Sequence, residues 1–447
     1  MRREAVIEYL KGALWAMPAC AVALALAVGS ILSRIDIPAE SRWSFLLFQG
    51  TVDDARNLLI GIASTMVTVI ALVLGLTVVA LQLASTQYSP RVLRNFLRDR
   101  VNQLTLSAFM ATFAYSTAGL YTVGISSGQR TDEYPRLAVT GALVLLFLTM
   151  IVLVYFVHHL MHSIQIDHVM SDIERGIVRQ TARGLGDSGE SASAPVVPEF
   201  ATALPSNQSG YVQTVHLERL ADAAASHDVV VVLIRLVGDH VVEETPLGWA
   251  WPVNSTASPA SGFADDLLAV VNDSVRVGFE RTAEQDTAFG VRQLADVASK
   301  ALSPAVNDPY TAIQAADHIS VVLADLARRP LGNHVVRDSS GSPRVYMPGR
   351  DWAYYVDLGL GQVRRFGHTE PRVVLALYRV VRDIASFCDA ERRAVLWQFL
   401  HVLVGDVERN IQQPADRDPL VEQGRQVMQA IKETPVPAVA SERLGSP

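Results

Sequence analysis

The chain has 447 residues, a net charge of −7, and 19% charged residues against 50% hydrophobic ones. There is no basic surplus for nucleic acid, and the three lysines, Lys11, Lys300 and Lys432, disfavour Schiff-base or carrier-group chemistry. The two cysteines, Cys20 and Cys388, supply neither a disulfide framework nor a zinc-type spacing.

The apolar residues are concentrated at the front. Residues 12–33, 57–90, 101–129 and 137–157 contain no Asp, Glu, Lys or Arg. A bilayer core ~30 Å thick is crossed by ~20 apolar residues of helix, so each run is long enough to span. The basic start, residues 1–11, followed by an apolar run also suits a signal peptide. The run to residue 33 is too long for one, and three more runs follow, so an uncleaved span is expected. Around these runs the arginines and lysines are concentrated in the N-terminal tail (Arg2, Arg3, Lys11) and between the second and third runs (Arg91, Arg94, Arg98, Arg100), while the other two loops mix Arg34, Arg42, Arg56, Arg130 and Arg136 with acids. The positive-inside rule then places both termini in the cytoplasm of a multi-pass protein of the plasma (inner) membrane.

The second run is longer than a bilayer requires and carries Ser64, Thr65, Thr68 and Thr77 with Gly61 and Gly75. Small and hydroxyl residues favour close helix packing, and lining a polar pore is the other reading of them. Ser89-Pro90 opens an interfacial helix over 89–100. Its arginines, Arg91, Arg94 and Arg98, form a stripe suited to anionic headgroups, opposite Val92, Leu93, Phe96 and Leu97. After the fourth run, His158 and His162 stand four apart, a spacing compatible with a metal. Helix-end histidines are commoner than ligands, so no metal and no cofactor are expected.

The predicted architecture is an α-helical transmembrane bundle of about four helices with a C-terminal α+β, mainly helical, cytoplasmic domain. Residues 1–165 form the bundle, 166–209 a helical extension and linker, 210–433 the α+β domain, and 434–447 a disordered tail. Within 210–433 strands are expected at 211–215, 229–237 and 241–251, and a helix at 216–225. Further helices are expected at 263–278, 287–302, 309–328, 350–366, 371–388, 391–411 and 416–433, with a loop or hairpin at 331–349.

Residues 280–311, ERTAEQDTAFGVRQLADVASKALSPAVNDPYT, are the densest polar segment. Glu280, Arg281, Glu284, Asp286, Asn307 and Asp308 make it the candidate cytoplasmic site or subunit interface. Helix capping comes first among its readings. Thr282 and Gln285 fit a capping box, Asp286 fits a cap for a helix from Thr287, and Asp308-Pro309 is a cap followed by proline. A subunit interface is second and a ligand site third.

This segment, with residues 82–100 (QLASTQYSPRVLRNFLRDR), Ser209 to Gln213, and Gly238 to Val241 with Pro246-Leu247, resembles a bacterial membrane-protein family catalogued as domain of unknown function 2254. The resemblance covers roughly residues 10–430 and implies four spans and a cytoplasmic domain, with no established activity. His162 is an extra histidine, and Glu244 stands where the family pattern expects glycine. The Gly238-Asp239 turn is also similar to hairpins of biotinyl-type domains, but no lysine between Lys11 and Lys300 is available for attachment.

No Walker loop, nucleophile elbow or zinc-protease helix is present, so enzymatic activity is not expected. The charge-free spans argue against ion-coupled carriers. A passive ion or small-solute channel with a cytoplasmic regulatory domain is the first expectation. A membrane scaffold or sensor is the second, and a membrane-bound enzyme the third. The expected partners are the lipid bilayer with its anionic headgroups and further copies of the chain.

Overall fold

The computed structural model describes residues 15–35, 45, 47–87, 100–123, 125–126, 129–130, 134–163, 165–184, 194–253 and 263–433. The segment with Arg91, Arg94 and Arg98 and the tail 434–447 lie outside the described residues. The chain divides into two units, Met1–His168 and Val169–Pro447.

The first unit holds α1 (Ala16–Leu32), α2 (Val52–Gln87), α3 (Arg100–Thr122), a hairpin of β1 (Ile125–Ser126) and β2 (Gln129–Arg130), and α4 (Arg136–Ser163). Among the described residues, α2 over Val52–Leu83 and α4 over Arg136–Ser163 are long and apolar enough to cross a membrane. The 17-residue α1 is apolar but shorter. At 23 residues, or ~34 Å, α3 has the length but not the apolarity. The four expected spans are therefore met by two helices of full length and character. The departure of α3 has a physical reason, for it packs against α1, α2 and α4. Its Gln103, Thr105, Ser107, Thr112 and Ser116 are all buried. Glycines allow this close approach. Tyr115 lies against Gly29 and Gly141 and donates to the Ala138 carbonyl at 2.9 Å, and Leu59 lies against Gly119.

The second unit opens with α5 (Ile166–Gly184), whose first three residues belong to the first unit. Met170, Ile173 and Ile177 are its buried stripe. Two sheets follow. One has the order β3 (Thr202–Pro205), β7 (Pro246–Pro252), β5 (Val229–Leu233), β10 (Pro343–Met347), β9 (His334–Arg337). Only its β5–β10 pair is parallel. The other has the order β6 (His240–Val241), β4 (Gly210–Val215), β8 (Val275–Gly278) and is antiparallel. Helices α6 (Leu217–Ser226) and α7 (Phe263–Ser274) contribute Leu220, Ala224, Leu267 and Val271 to the core of these strands. Each fully buried leucine or valine among them contributes ~1.5–3 kcal/mol.

The helical layer comprises α8 (Thr287–Ala301), α9 (Pro309–Leu326), α10 (Trp352–Val356), α11 (Gln362–Gly367), α12 (Pro371–Ala385), α13 (Ala390–Asn410) and α14 (Pro414–Glu433). The mainly helical α+β character expected after residue 210 is present.

Three expectations are corrected. The helix expected over 263–278 stops at Ser274, and Val275–Gly278 becomes β8. Alternating Val275 and Val277 fill the core there, a period of two in place of the helical one. The strand expected over 241–251 is split by a turn at Glu244, which has φ of 65°. That left-handed conformation suits glycine, which accounts for the residue type the family pattern expects here. The helix expected over 350–366 contains a π turn at Asp357–Gly361, where Gly359 admits Ile319 of α9. Such single-turn π bulges interrupt α-helices where packing demands an extra residue.

Candidate functional site

The polar segment 280–311 does not form one cluster. Its two turns sit at opposite ends of α8, whose 15 residues separate them by ~22 Å.

At the first end, Asp286 is the hub. Its side chain has no exposure, and it caps α8 by accepting from the Phe289 amide at 3.0 Å. Arg281 grips it through Nε to Oδ2 and through Nη2 to Oδ1, the latter at 3.0 Å. Burial lowers the Arg281 pKa, but the hydrogen bond and charge of Asp286 outweigh it and the net shift is upward. Arg350 brings Nη1 to 3.8 Å from Asp286 and Nη2 to 3.8 Å from Asp239, and donates to the Val237 carbonyl at 3.0 Å. Its guanidinium lies over Tyr354, 5.3 Å from the ring centroid. Burial pushes the neighbouring Tyr355 hydroxyl up to about 12.

Gly238 is required at this site. It has φ of 91°, and a Cβ there would stand 2.1 Å from Asp286 Oδ2. The Gly238-Asp239 turn and the 280–286 loop, distant in sequence, thus meet in space. Gln213 and Gln285 complete the stitching. Gln213 donates to the Glu280 carbonyl at 2.7 Å, and Gln285 accepts from the Val215 amide at 2.8 Å. Gln285 therefore serves β4, which replaces the capping box expected with Thr282. Glu284 is exposed in the same loop. The cluster holds two guanidinium groups and two carboxylates, so its charges balance. It contains no nucleophile paired with a base.

At the other end, Asp308 caps α9. It accepts from the Thr311 amide at 3.2 Å and the Thr311 hydroxyl at 2.6 Å, with Pro309 in the first turn. The Thr311 hydroxyl is the leading cause that lowers the Asp308 pKa. Asn307 is exposed and left-handed, with φ of 50°.

Among the described side chains of α2 the buried residues are Ala55, Leu59, Ile62, Met66, Val73 and Ala80. Ser64, Thr65 and Thr68 are exposed on another face, and nothing lies within 4 Å of a Cβ placed on Gly61 or Gly75. Thr77 is half-buried. The hydroxyls of Thr65, Thr68 and Thr77 donate to carbonyls four residues back, at 2.7, 3.3 and 2.8 Å.

His158 and His162 rings are 4.2 Å apart, with His168 5.5 Å from His162. His162 Nδ1 bonds the His158 carbonyl at 2.9 Å, which occupies one of its nitrogens. Among the described residues no group of three His, Cys, Asp or Glu is placed to hold a metal.

Sequence reasoning passed over Arg350, whose ion-pair partners lie more than 60 residues away in the chain. The glycine-aspartate turn was the available signal for its other half.

A protein family described as predicted membrane protein, DUF2254, matches residues 11–383. Uncharacterized protein Mb1321c of Mycobacterium bovis and uncharacterized protein Rv1290c of Mycobacterium tuberculosis are each 41% identical over 425 residues, covering 93% of this chain and 80% of theirs. No solved structure matches.

Proposed function

Because the chain belongs to the DUF2254 family of predicted membrane proteins, we propose that copies of it assemble in the plasma membrane into a passive ion or small-solute channel, with residues 169–433 as its cytoplasmic regulatory part. In this reading α1 to α4 all span. The observation that carries it is the outer face of α2. Gly61, Ser64, Thr65, Thr68 and Gly75 are turned away from the packed residues of α2. Small and hydroxyl residues on a span favour the approach of another helix. Among the described residues nothing lies against Gly61 or Gly75, so in this reading a path along this face is closed by further copies.

The test is reconstitution in liposomes. Conductance is expected without nucleotide or coupling ion, with chloride favoured over potassium because Arg91, Arg94 and Arg98 follow α2 in sequence. Arg94→Glu is expected to shift the reversal potential toward cations. No conductance under any pH, lipid or tension condition sinks the channel.

A specific observation favours a second reading, a membrane sensor or scaffold. Helix α5 starts three residues after α4 ends and is built into the helical layer. Ile177 fills the space above Gly290, Glu174 pairs with His318 at 2.6 Å, and Thr181 donates to Asp325 at 2.6 Å. A displacement of α4 would be passed to α8 and α9 through these contacts. Under this reading Glu174→Gln changes the response of α8 and α9 to membrane tension, measured by hydrogen exchange, while no current flows.

A further inference from the structure

Helix α5 carries a feature that neither the spans nor the Asp286 cluster uses. Arg175, Arg179 and Arg183 recur every four residues and are exposed. At 100° per residue they fall on the side of the helix opposite Met170, Ile173 and Ile177, which are buried in the second unit. The stripe runs ~12 Å along the helix. Its only acid is Asp172, which pairs with Arg175 at 2.7 Å with both side chains well exposed, so the face keeps a net positive charge. Arg179 bonds only the Arg175 carbonyl, at 3.1 Å, and Arg183 makes no hydrogen bond or ion pair among the described residues. Glu174, the other acid on this part of the helix, is committed to His318.

We infer that this arginine face is a docking surface for the anionic phospholipid headgroups of the bilayer that α4 crosses. Three observations point to lipid as the occupant. The chain leaves α4 at Ser163 and enters α5 at Ile166, so α5 is tethered beside the bilayer. The amide of Gln165, just ahead of α5, donates to the His162 carbonyl at 3.1 Å, so the start of α5 is tied to the last turn of α4. Its apolar face is already filled by α8 and α9, which leaves the arginines as the face for an outside partner. Juxtamembrane basic residues are attracted by anionic lipid within about a Debye length, ~8–10 Å, so the stripe works only if α5 lies along the surface. The inference stands on membrane insertion alone and holds whether or not the protein conducts.

The test uses the full chain carrying Cys20→Ser, Cys388→Ala and Ala182→Cys, labelled at 182 with an environment-sensitive fluorophore. The protein is reconstituted in vesicles of phosphatidylcholine alone or mixed with phosphatidylglycerol. With phosphatidylglycerol at low salt, the label is expected to be quenched by headgroup spin-labelled lipid and shielded from aqueous iodide. High salt should remove both effects. With roughly a fivefold effect per basic residue near an anionic surface, the triple variant R175E/R179E/R183E should erase the difference between the two lipids. The triple lysine variant should keep it. The salt and lipid comparison on the parent needs no charge variant and covers the case of misfolding. Equal iodide access in both lipids at low salt overturns the inference and leaves an acidic protein as the partner of the stripe.

Discussion

In α2 and α3 several serine and threonine hydroxyls turn back on their own helices, while the Tyr115 hydroxyl crosses to α4. Thr65, Thr68, Thr77, Ser107, Thr112 and Thr117 each donate to a carbonyl four residues earlier. From residue 169 onward the polar side chains reach across the fold. Arg344 joins Asp228 and Asp338, Arg350 joins the Val237 turn to Asp286, and Arg392 donates to the carbonyls of Ala327 and Arg329. All ion pairs between described residues lie at residue 172 or beyond. Under the proposed reading, in which α2 and α3 cross the bilayer, the contrast follows from the solvent. A polar group facing hydrocarbon has no water to fall back on, so it takes the nearest carbonyl. A group at a water-exposed seam can afford distant partners, and there they define which segments meet. Loss of a hydroxyl should therefore cost little in the first unit, while loss of a charge should cost much in the second.

The sharpest way to break this contrast is Asp286→Ala. It leaves Arg281 and Arg350 partly buried beside an empty site and uncaps α8. Removing one member of a buried pair costs about 3 kcal/mol or more. Chemical unfolding followed by probes in residues 169–433 should show that loss. A change below about 1 kcal/mol would mean that the arginines are hydrated rather than dependent on the carboxylate.

Asp308 should give a smaller effect, because only a cap is lost. Asp308→Ala is expected to cost about 1 kcal/mol, and Asp308→Ser, which retains an acceptor, close to nothing. The pH dependence has a definite sign. The folded-state pKa lies below the ordinary 3.8, so the ionised cap contributes fully above 3.8. That contribution is lost as pH falls through the lower folded value. Unfolding titrations of wild type and Asp308→Ala should run in parallel near neutral pH and converge only in strong acid. A serine variant that keeps stability but loses function would show that Asp308 does more than cap.

What could be read in the sequence was what depends on neighbours in the chain. The caps at Asp286 and Asp308-Pro309 are local chemistry, completed within three residues, and were legible with the helices they start. The β-branched run expected as a strand over 229–237 was legible for the same reason, although the strand stops at Leu233. Arg350 was silent because its partners come from two other segments. The strand β8 was hidden behind α7, since Val275 and Val277 also extend a helical apolar pattern. Residues 101–129 read as a span because they carry no charge, and the buried polar residues that make α3 less apolar find their reason only in its packing against three other helices.

Glu244 lies between those cases, because the resemblance marked it as a departure and the backbone supplies the reason. Its φ of 65° costs a non-glycine residue about 1 kcal/mol. Glycine would relieve that cost but give the unfolded chain more freedom, worth roughly half as much. Glu244→Gly should therefore stabilise by about 0.5 kcal/mol. A thermal midpoint that stays level or falls would mean that the Glu244 side chain contributes as much as its backbone strain removes.

The smallest expected change separates the two accounts of α2. Thr65 donates to Gly61 within its own helix and is exposed on the face away from Leu59, Ile62 and Met66. Thr65→Val removes one hydroxyl of nearly the same volume, and that hydroxyl satisfies only a carbonyl already bonded in the helix. Folding stability in detergent should change by less than about 0.5 kcal/mol. If the face meets lipid alone, cross-linking between copies and conductance should also stay constant. If it lines a path between copies, a dry methyl at a hydrated position should lower conductance while stability holds. Thr77→Val is the internal comparison, since Thr77 is half-buried and farther along the same helix. Equal effects at both positions would count against a path confined to the outer face. Loss at Thr65 alone would place it on the side that Gly61 and Gly75 leave open.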